Sequence, residues 1–523
     1  MQFRVLVADP IAAEGVAFLE RHVQVDVRTG ISPEELPAAV APYDALVVRS
    51  ETKVTALVLM AGERLQVVAR AGVGVDNIDV ETATKRGVLV VNAPLGNTVA
   101  AAEHAMALML SLARFVPQAD ASIRAGEWTR SRFIGMELNH KTLGIVGLGK
   151  VGLEVARRAR SFGMSLLAYD PYISAAAAEA VGARLVSLDD LMRESNVVTI
   201  HVPLTTGNRH LIGNREIGLT KPGTLLINVA RGGIVDEVAV AEALETGHLG
   251  GAGFDVFSQE PLQDDNPLHG VAPTVLTPHL GASTNEAQVK VALEVAEQVV
   301  DVLNGRPARG AVNAPALSAD LLAELGPYLD LADRLGRLHT QLQRQPLGPL
   351  EVTYAGEHMH TDTRPLRRAI VRGLLEPIST ERVSVVNAEL IAEQRGLHVT
   401  ENKGIAPEGY TNSIRLTGPD GTIEGTVIGE ELRIIRYDNY PVDFTPSGHF
   451  LFCPHVDQPG VIGSVATLLG QANINISAAM SGRLAPRGET MLVLTLDEPA
   501  TDAVCERIKA EVKGLRSLTR AHL

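Results

Sequence analysis

Gly147-Leu-Gly149-Lys-Val-Gly152 follows the apolar run TLGIV and opens a helical pattern, VGLEVARRARSFG. The next apolar run ends at Tyr169-Asp170, 18 residues beyond Gly152. Each part has a physical use. Gly147 allows a tight turn, Gly149 lets the backbone approach a pyrophosphate, and Gly152 lets helix and strand pack closely. The helix start offers free N–H groups and positive dipole to phosphates. A carboxylate at Asp170 accepts both adenosine ribose hydroxyls and repels a 2′-phosphate, and Pro171 and Tyr172 provide no arginine to hold one. Glycine-rich turns alone are common, but strand, turn, helix and distant acid together specify a dinucleotide site, with NAD preferred to NADP.

A nicotinamide cofactor requires a group that holds the substrate, one that removes a hydroxyl proton and one that stabilises the oxygen becoming a carbonyl. Arg231 in INVARGGIVDE, Glu260 in GFDVFSQEP and His279 in VLTPHLGAST each follow a strand-like run. Histidine suits the base because its ordinary titration lies near neutral pH. A carboxylate orients the ring and favours its cation, and arginine grips a carboxylate through two parallel hydrogen bonds. Spacing alone does not select this trio among 15 histidines, and His201 in TIHVPL is an equally placed rival. Arg70-Ala-Gly72-Val73-Gly74-Val-Asp76 lacks a third glycine and reads as a nest of backbone donors for a carboxylate.

These residues must be carried by a framework. FRVLVAD, DALVVRS, LQVVARAG and GVLVVNAP are short Val/Leu-rich runs separated by amphipathic segments, as in buried parallel strands joined by helices. The pattern resumes from KTLGIVGLGKVG through SLLAYDP, NVVTIHVPL, GTLLINVARGG and GAGFDVF to TVLTPHLGAS. The expected class is α/β, with two doubly wound (Rossmann- or flavodoxin-like) parallel sheets whose ligands lie at the strand carboxyl ends. A helix over about 98–116 joins them, and NEAQVKVALEVAEQVVDVLNG returns the chain to the first. AVNAPALS and QPLGPL then bracket a helical patch. LEVTYAGEH, RVSVVNAELIAEQRG, TNSIRLTG and ELRIIRYDNYPVDF suggest an α+β module with antiparallel strands. From about His449 the order is βαββαβ, the ferredoxin-like plan. The expected domains are 1–97 with 283–312 for substrate, 98–282 for the dinucleotide, 313–447 intervening and 448–523 C-terminal.

Composition bounds the function. The 523 residues carry 47 Lys+Arg against 61 Asp+Glu, a net charge of −14, which argues against nucleic acid or an anionic membrane as partner. Cys453 and Cys505 cannot make a disulfide framework, no Cys/His spacing suggests a metal, and MQFRVLVADP reads as a strand rather than a secretory leader. The apolar stretch AAEHAMALMLSLARFV is interrupted by Glu103, His104 and Arg114. A cytoplasmic protein is the expectation.

LGIVGLGKVG, INVARGGIVDE, GFDVFSQEP and TPHLGAS, with RAGVGVDNID and NAPLGNTVAAAEHAMALML, resemble the D-isomer-specific 2-hydroxyacid dehydrogenases. The extension resembles that family's long, phosphoglycerate-oxidising branch, so the likeness spans essentially the whole chain. It implies that Arg231 binds the substrate carboxylate and polarises the carbonyl, that His279 is the acid/base, and that Glu260 holds and tunes it. Lys150 and Val151 would meet the pyrophosphate, Val202, Ala230 and Asp255 would line the path from adenine to nicotinamide, and His279, Leu280, Gly281 and Ala282 would border the nicotinamide. Gly72, Val73 and Gly74 would take the carboxylate from the other domain, with Val73 also beside the cofactor. Arg49 and Arg70 face the cleft as phosphate candidates. Arg130 in EWTRSRF is similar to a residue donated by a neighbouring subunit, with Arg132 the alternative.

His455-Val-Asp457-Gln-Pro-Gly460, followed by Ala472-Asn473-Ile-Asn475, resembles an ACT domain, which binds an amino acid between paired copies. His455, Asp457 and Asn475 match the positions of serine contacts; a fold kept only for pairing is the alternative. The whole resemblance implies NAD-dependent oxidation of 3-phosphoglycerate to 3-phosphohydroxypyruvate, the first step of phosphorylated serine biosynthesis, in a homotetramer with L-serine as effector. A glyoxylate or hydroxypyruvate reductase is the same-class alternative, although about 210 residues follow the catalytic region here. A non-catalytic, NAD-sensing corepressor-like protein is the other.

Overall fold

Short runs of β-branched residues form the two sheets that carry the site. In the computed structural model, which describes residues 3–315, 319–343, 348–356 and 362–523, the first sheet holds β1 (Arg4–Val7), β2 (Gln24–Val27), β3 (Ala45–Val48), β4 (Val67–Arg70) and β5 (Leu89–Asn92). Its order is β2-β1-β3-β4-β5, all parallel. The four apolar strands expected from the sequence are the buried ones. Edge strand β2, QVDV, is half exposed and lacks an apolar run, which is why the sequence pattern did not mark it.

The second sheet contains β6 (Thr142–Val146), β7 (Ser165–Tyr169), β8 (Ala183–Leu185), β9 (Val197–Ile200), β10 (Thr224–Asn228), β11 (Leu249–Phe254) and β12 (Thr274–Leu276). Its order, β12-β11-β10-β9-β6-β7-β8, reverses direction between β6 and β9, the crevice where doubly wound sheets bind ligands. The crossover helix ends earlier than expected, at Ala113. Phe115 adopts a left-handed φ of 54°, and Pro117 starts a second helix, Val116–Arg124, bent by 60° from the first. No single helix among the described residues is long and apolar enough to cross a membrane.

The intervening sheet contains β13 (Leu350–Gly356), β14 (Val399–Gly404), β15 (Asn412–Gly418), β16 (Gly421–Ile428), β17 (Glu431–Tyr437) and β18 (Tyr440–Phe444). β13 pairs with β14 in parallel, and the other pairings are antiparallel. Helices Ala319–Leu342 and Arg364–Leu375 contribute to its core; positions 316–318 and 344–347 of the two bracketing stretches lie outside the described residues. RVSVV is not a strand. It is a loop before helix Ala388–Gln394 that docks on the first lobe, where Arg382 donates to the Leu65 carbonyl and Val386 joins the core of Val23 and Leu19.

The C-terminal βαββαβ unit contains β19 (His449–Val456), β20 (Ile476–Arg483), β21 (Glu489–Leu496) and β22 (Thr519–His522), in the order β20-β21-β19-β22. Alternate residues of β19 enter two cores. Leu451 and Cys453 pack against the unit's own helices, while Phe450 and Phe452 join the intervening core beside Phe444.

Helix Asn285–Leu303 closes the first lobe. Thr284 Oγ1 accepts the Ala287 N–H at 3.2 Å as its cap, and Val291, Val295, Ala296 and Val299 enter the core with Leu19. Helix Ala13–Glu20 crosses it at Gly15, where an added Cβ would lie 2.7 Å from Ala292 Cβ and 2.9 Å from its carbonyl carbon. Better helix propensity is outweighed by this overlap. Gly15→Val therefore lowers unfolding stability by about 1–3 kcal/mol, read as a lower urea midpoint at unchanged slope.

Candidate active site

Each glycine of the nucleotide loop answers a different constraint. Gly147 has φ 91°, and a Cβ there would lie 2.6 Å from Val202 Cγ1. A Cβ on Gly152 would lie 2.2 Å from the Gly147 carbonyl oxygen, so this glycine lets helix Lys150–Ser161 close on the turn. Gly149 is different: apart from its immediate chain neighbours, nothing lies within 4 Å of its Cβ position. That open space beside the first free N–H groups of the helix is room for a pyrophosphate. Lys150 is exposed at this helix start and Val151 is half-buried. Asp170, at the end of β7, accepts the Leu148 N–H and the Tyr172 N–H, each at 2.9 Å. One N–H per oxygen leaves acceptor capacity for ribose hydroxyls. These groups fit NAD.

The three chemical candidates come from adjacent strands: Arg231 follows β10, Glu260 follows β11 and His279 follows β12. Asn228 joins the first two loops. Its amide donates to the Arg231 carbonyl at 3.0 Å, its side-chain oxygen accepts the Ala230 N–H at 3.1 Å, and its own carbonyl accepts the Asp255 N–H at 3.0 Å. The backbone at Gly232 presses on the Glu260 loop, where a Cβ would fall 1.8 Å from the Phe257 carbonyl oxygen.

His279 Nδ1 and Glu260 Oε2 are 2.7 Å apart, and Glu260 Oε1 accepts the Phe257 N–H at 3.0 Å. Burial opposes charge on Glu260, but the His279 and Phe257 hydrogen bonds outweigh it and hold the carboxyl below its usual range. The pair borders a largely apolar cavity of about 560 Å³ formed with Phe257, Leu262, Leu276 and Pro278. The rival His201 lies elsewhere: its Nε2 bonds Thr199 Oγ1 at 2.9 Å, and burial lowers its pKa to about 4.

Arg231 spans the cleft between lobes. Its Nε lies 3.5 Å from Asp76 Oδ2, and a Cβ on Gly74 would meet the guanidinium at 2.3 Å. Arg70 lies beneath Gly72, where a Cβ would be 2.1 Å from the guanidinium. Burial, then the charge of Arg231, lower the Arg70 pKa to about 10, and Arg49 adds to the repulsion. The Val73 carbonyl accepts from Asn92 Nδ2, and Arg49 donates to the Pro10 carbonyl at 3.3 Å. Three cations thus crowd one end of the cleft.

The remaining sequence candidates divide. Asp255 is fully buried, and its carboxylate accepts the Leu280 N–H at 2.7 Å and the Gly281 N–H at 2.8 Å. The Ala282 carbonyl accepts Gln288 Nε2 at 2.9 Å. Arg130 and Arg132 lie on an exposed arm; Arg132 pairs with Glu127 at 2.9 Å, and the Arg130 guanidinium is 5.6 Å from the Trp128 ring centre. In the tail, His455 is buried and bonds the Cys453 carbonyl, while Asp457 accepts from Arg487 N–H and Arg483, which hold its carboxyl below the usual range. Asn475 donates to Asp497 at 2.6 Å. His455 pairs with Thr490 across β21, but Ile476 pairs with Leu496, so Asn475 lies at the opposite sheet end, roughly 20 Å away at about 3.3 Å per residue. The three do not meet within one chain.

Sequence reasoning missed several supporting residues. Buried Glu237 accepts from Ser258 N–H and Oγ at 2.6 and 2.7 Å and from Asn266 at 2.7 Å, bracing the loop that carries Glu260. An acid at a helix start reads as an exposed charge, so nothing in the pattern marked it. Asn228 and Thr277 were equally silent. His104 showed only as an interruption in an apolar helix.

Residues 106–281 match the NAD-binding domain of D-isomer-specific 2-hydroxyacid dehydrogenases, and residues 324–437 match the D-3-phosphoglycerate dehydrogenase intervening domain. A D-3-phosphoglycerate dehydrogenase of Synechocystis sp. is 46% identical over 98% of this chain and 93% of its own length. One from Archaeoglobus fulgidus is 43% identical over 99% of this chain and 100% of its own. Among solved structures, an Aquifex aeolicus D-lactate dehydrogenase complexed with NAD and lactic acid is 27% identical, with a TM-score of 0.52, over 58% of this chain and 96% of that one. The chain belongs to the D-3-phosphoglycerate dehydrogenase family, and its second lobe is the family's NAD-binding domain.

Proposed function

We propose that this chain oxidises 3-phosphoglycerate to 3-phosphohydroxypyruvate with NAD, the entry step of phosphorylated serine synthesis. The observation that carries this reading is the His279–Glu260 pair, whose loop packs at Phe257 against Gly232 of the Arg231 loop, together with the charge of Arg231 and Arg49 felt by Arg70 in the interlobe cleft. NAD, when bound, supplies a nicotinamide that accepts hydride from the substrate's C2. An ionised Glu260 can only accept, so Nδ1 of His279 carries the proton and Nε2 keeps its lone pair. Nε2 takes the C2 hydroxyl proton, and Glu260 stabilises the resulting imidazolium. Arg231 draws charge onto the forming carbonyl and grips the carboxylate, which the Gly72–Gly74 backbone meets from the first lobe. Arg49 and Arg70 supply cations for the phosphate, and their mutual repulsion is relieved when a dianion arrives.

The arm with Trp128 74% exposed and Ile134 79% exposed supports pairing with a second copy, which would bring Arg130 to a neighbour's cleft in a homotetramer. Asp457 and Asn475 lie at opposite sheet ends, so an L-serine site using both requires two copies. A phosphorylated substrate and NAD as oxidant support a cytoplasmic setting for this reaction.

His279→Ala lowers kcat for 3-phosphoglycerate roughly 10²–10⁴-fold, with Kd for NADH nearly unchanged. Full activity in that variant removes His279 from the chemistry, and preference for unphosphorylated hydroxyacids in a substrate panel overturns the phosphate reading. Asp170→Ser replaces two carboxylate acceptors for ribose hydroxyls by one hydroxyl and removes a like charge facing a 2′-phosphate. Its kcat/KM ratio of NADP to NAD rises roughly tenfold to a hundredfold. Initial rates with and without L-serine test the tail: inhibition in wild type disappears in Asn475→Ala at unchanged basal rate, and serine-insensitive wild-type enzyme leaves the tail with pairing alone.

A further inference from the structure

His279 has φ 55°, a left-handed conformation that an L residue keeps only when its surroundings hold it there. The holding residue is Asp255. Its carbonyl accepts the His279 N–H at 2.9 Å, its Oδ1 accepts the Leu280 N–H at 2.7 Å, and its Oδ2 accepts the Gly281 N–H at 2.8 Å. Three consecutive backbone donors thus hang from one buried residue. Thr277 Oγ1 adds a hydrogen bond to Oδ1 at 2.6 Å.

One further donor comes from outside this loop. His104 Nε2 lies 3.1 Å from Asp255 Oδ1 and 3.0 Å from Thr277 Oγ1, although it is 151 residues distant in sequence from Asp255. It sits on helix Thr98–Ala113, the crossover by which the chain leaves the first lobe for the second. Its side chain is 18% exposed, on a helix whose Ala101, Ala105 and Leu108 are buried. A leucine would satisfy that packing, so packing alone leaves the imidazole unexplained.

We propose that His104 is a positioning residue, tying the crossover helix to the Asp255 clamp so that the setting of the two lobes reaches the catalytic histidine. Without it Oδ1 of a fully enclosed carboxylate loses a donor, the 279–281 backbone relaxes, and the His279 ring leaves its line to Glu260. The helix and the loop then move independently. The inference rests on His279 being the acid/base.

The test compares full-length wild type, His104→Leu, which keeps bulk without a donor, and His104→Gln, which returns an N–H near the Nε2 position. kcat, KM, the pH profile of kcat/KM, NADH affinity and Tm are measured for each. His104→Leu is expected to lose roughly tenfold to a hundredfold in kcat, with KM and NADH Kd changed by less than about threefold and the acid limb of the profile displaced. His104→Gln recovers most of that loss and the wild-type profile. A His104→Leu enzyme with wild-type kcat and pH profile, whatever its Tm, overturns the proposal, as does His104→Gln as impaired as His104→Leu. Wild type inert toward 3-phosphoglycerate but active on another 2-hydroxy acid overturns only the substrate reading, and the same comparison with that acid then decides on His104.

Discussion

The 2.7 Å contact between His279 Nδ1 and Glu260 Oε2 determines which imidazole nitrogen is free, and its two ends arrive by different routes. Glu260 is fixed from behind by the Phe257 N–H, and its loop is braced by Glu237, so a buried acid with no view of the cleft controls one with such a view. His279 is fixed through its backbone by Asp255. An imidazole held by side-chain contacts alone would sample several rotamers. Held in a left-handed backbone conformation as well, it has few alternatives to its line with Glu260.

Charge is distributed to the same end. A chain of net charge −14 concentrates Arg49, Arg70 and Arg231 at one end of its interlobe cleft, where burial first and then the charge of its neighbours lower the Arg70 pKa. Asp76, the acid nearest to Arg231, is 73% exposed and 3.5 Å away, a weakly held counterion that an entering carboxylate can displace. The cluster is thus held together while its charges remain only partly compensated.

Most of the α/β framework was legible because buried parallel strands are continuous apolar runs, and the nucleotide turn was legible because its glycines answer local backbone constraints. Edge strands β2 and β8 were not, since half-exposed strands carry mixed composition. The end of the crossover helix was misplaced because the left-handed Phe115 leaves no pattern in an otherwise helical run. Arg231, Glu260 and His279 could be named only by resemblance. What joins them is strand adjacency, β10 to β11 to β12, and no spacing along the chain encodes that order. Asn228, Glu237 and His104 were illegible for a related reason: their partners are loops that come near only after the sheet has formed.

The tail is connected to the catalytic lobes unequally. Phe450 and Phe452 commit one face of the C-terminal sheet to the intervening core, so these two units share a single hydrophobic interior. The intervening unit in turn docks on the first lobe through Arg382, Val386 and Asn387, which reach Leu65, the Val23 core and Lys85. Leu65 and Lys85 precede β4 and β5, at the strand ends opposite the cleft. The contacts that link the tail to the catalytic lobes through the intervening unit therefore lie at the far end of the lobe that bears Gly72–Gly74. In the nucleotide-binding lobe the loop of His279 hangs from Asp255, and Asp255 reaches the crossover helix through His104. The crossover helix and the return helix Asn285–Leu303 are the two covalent paths between the lobes, and the first of them carries a side chain hydrogen-bonded to the residue that holds the His279 loop.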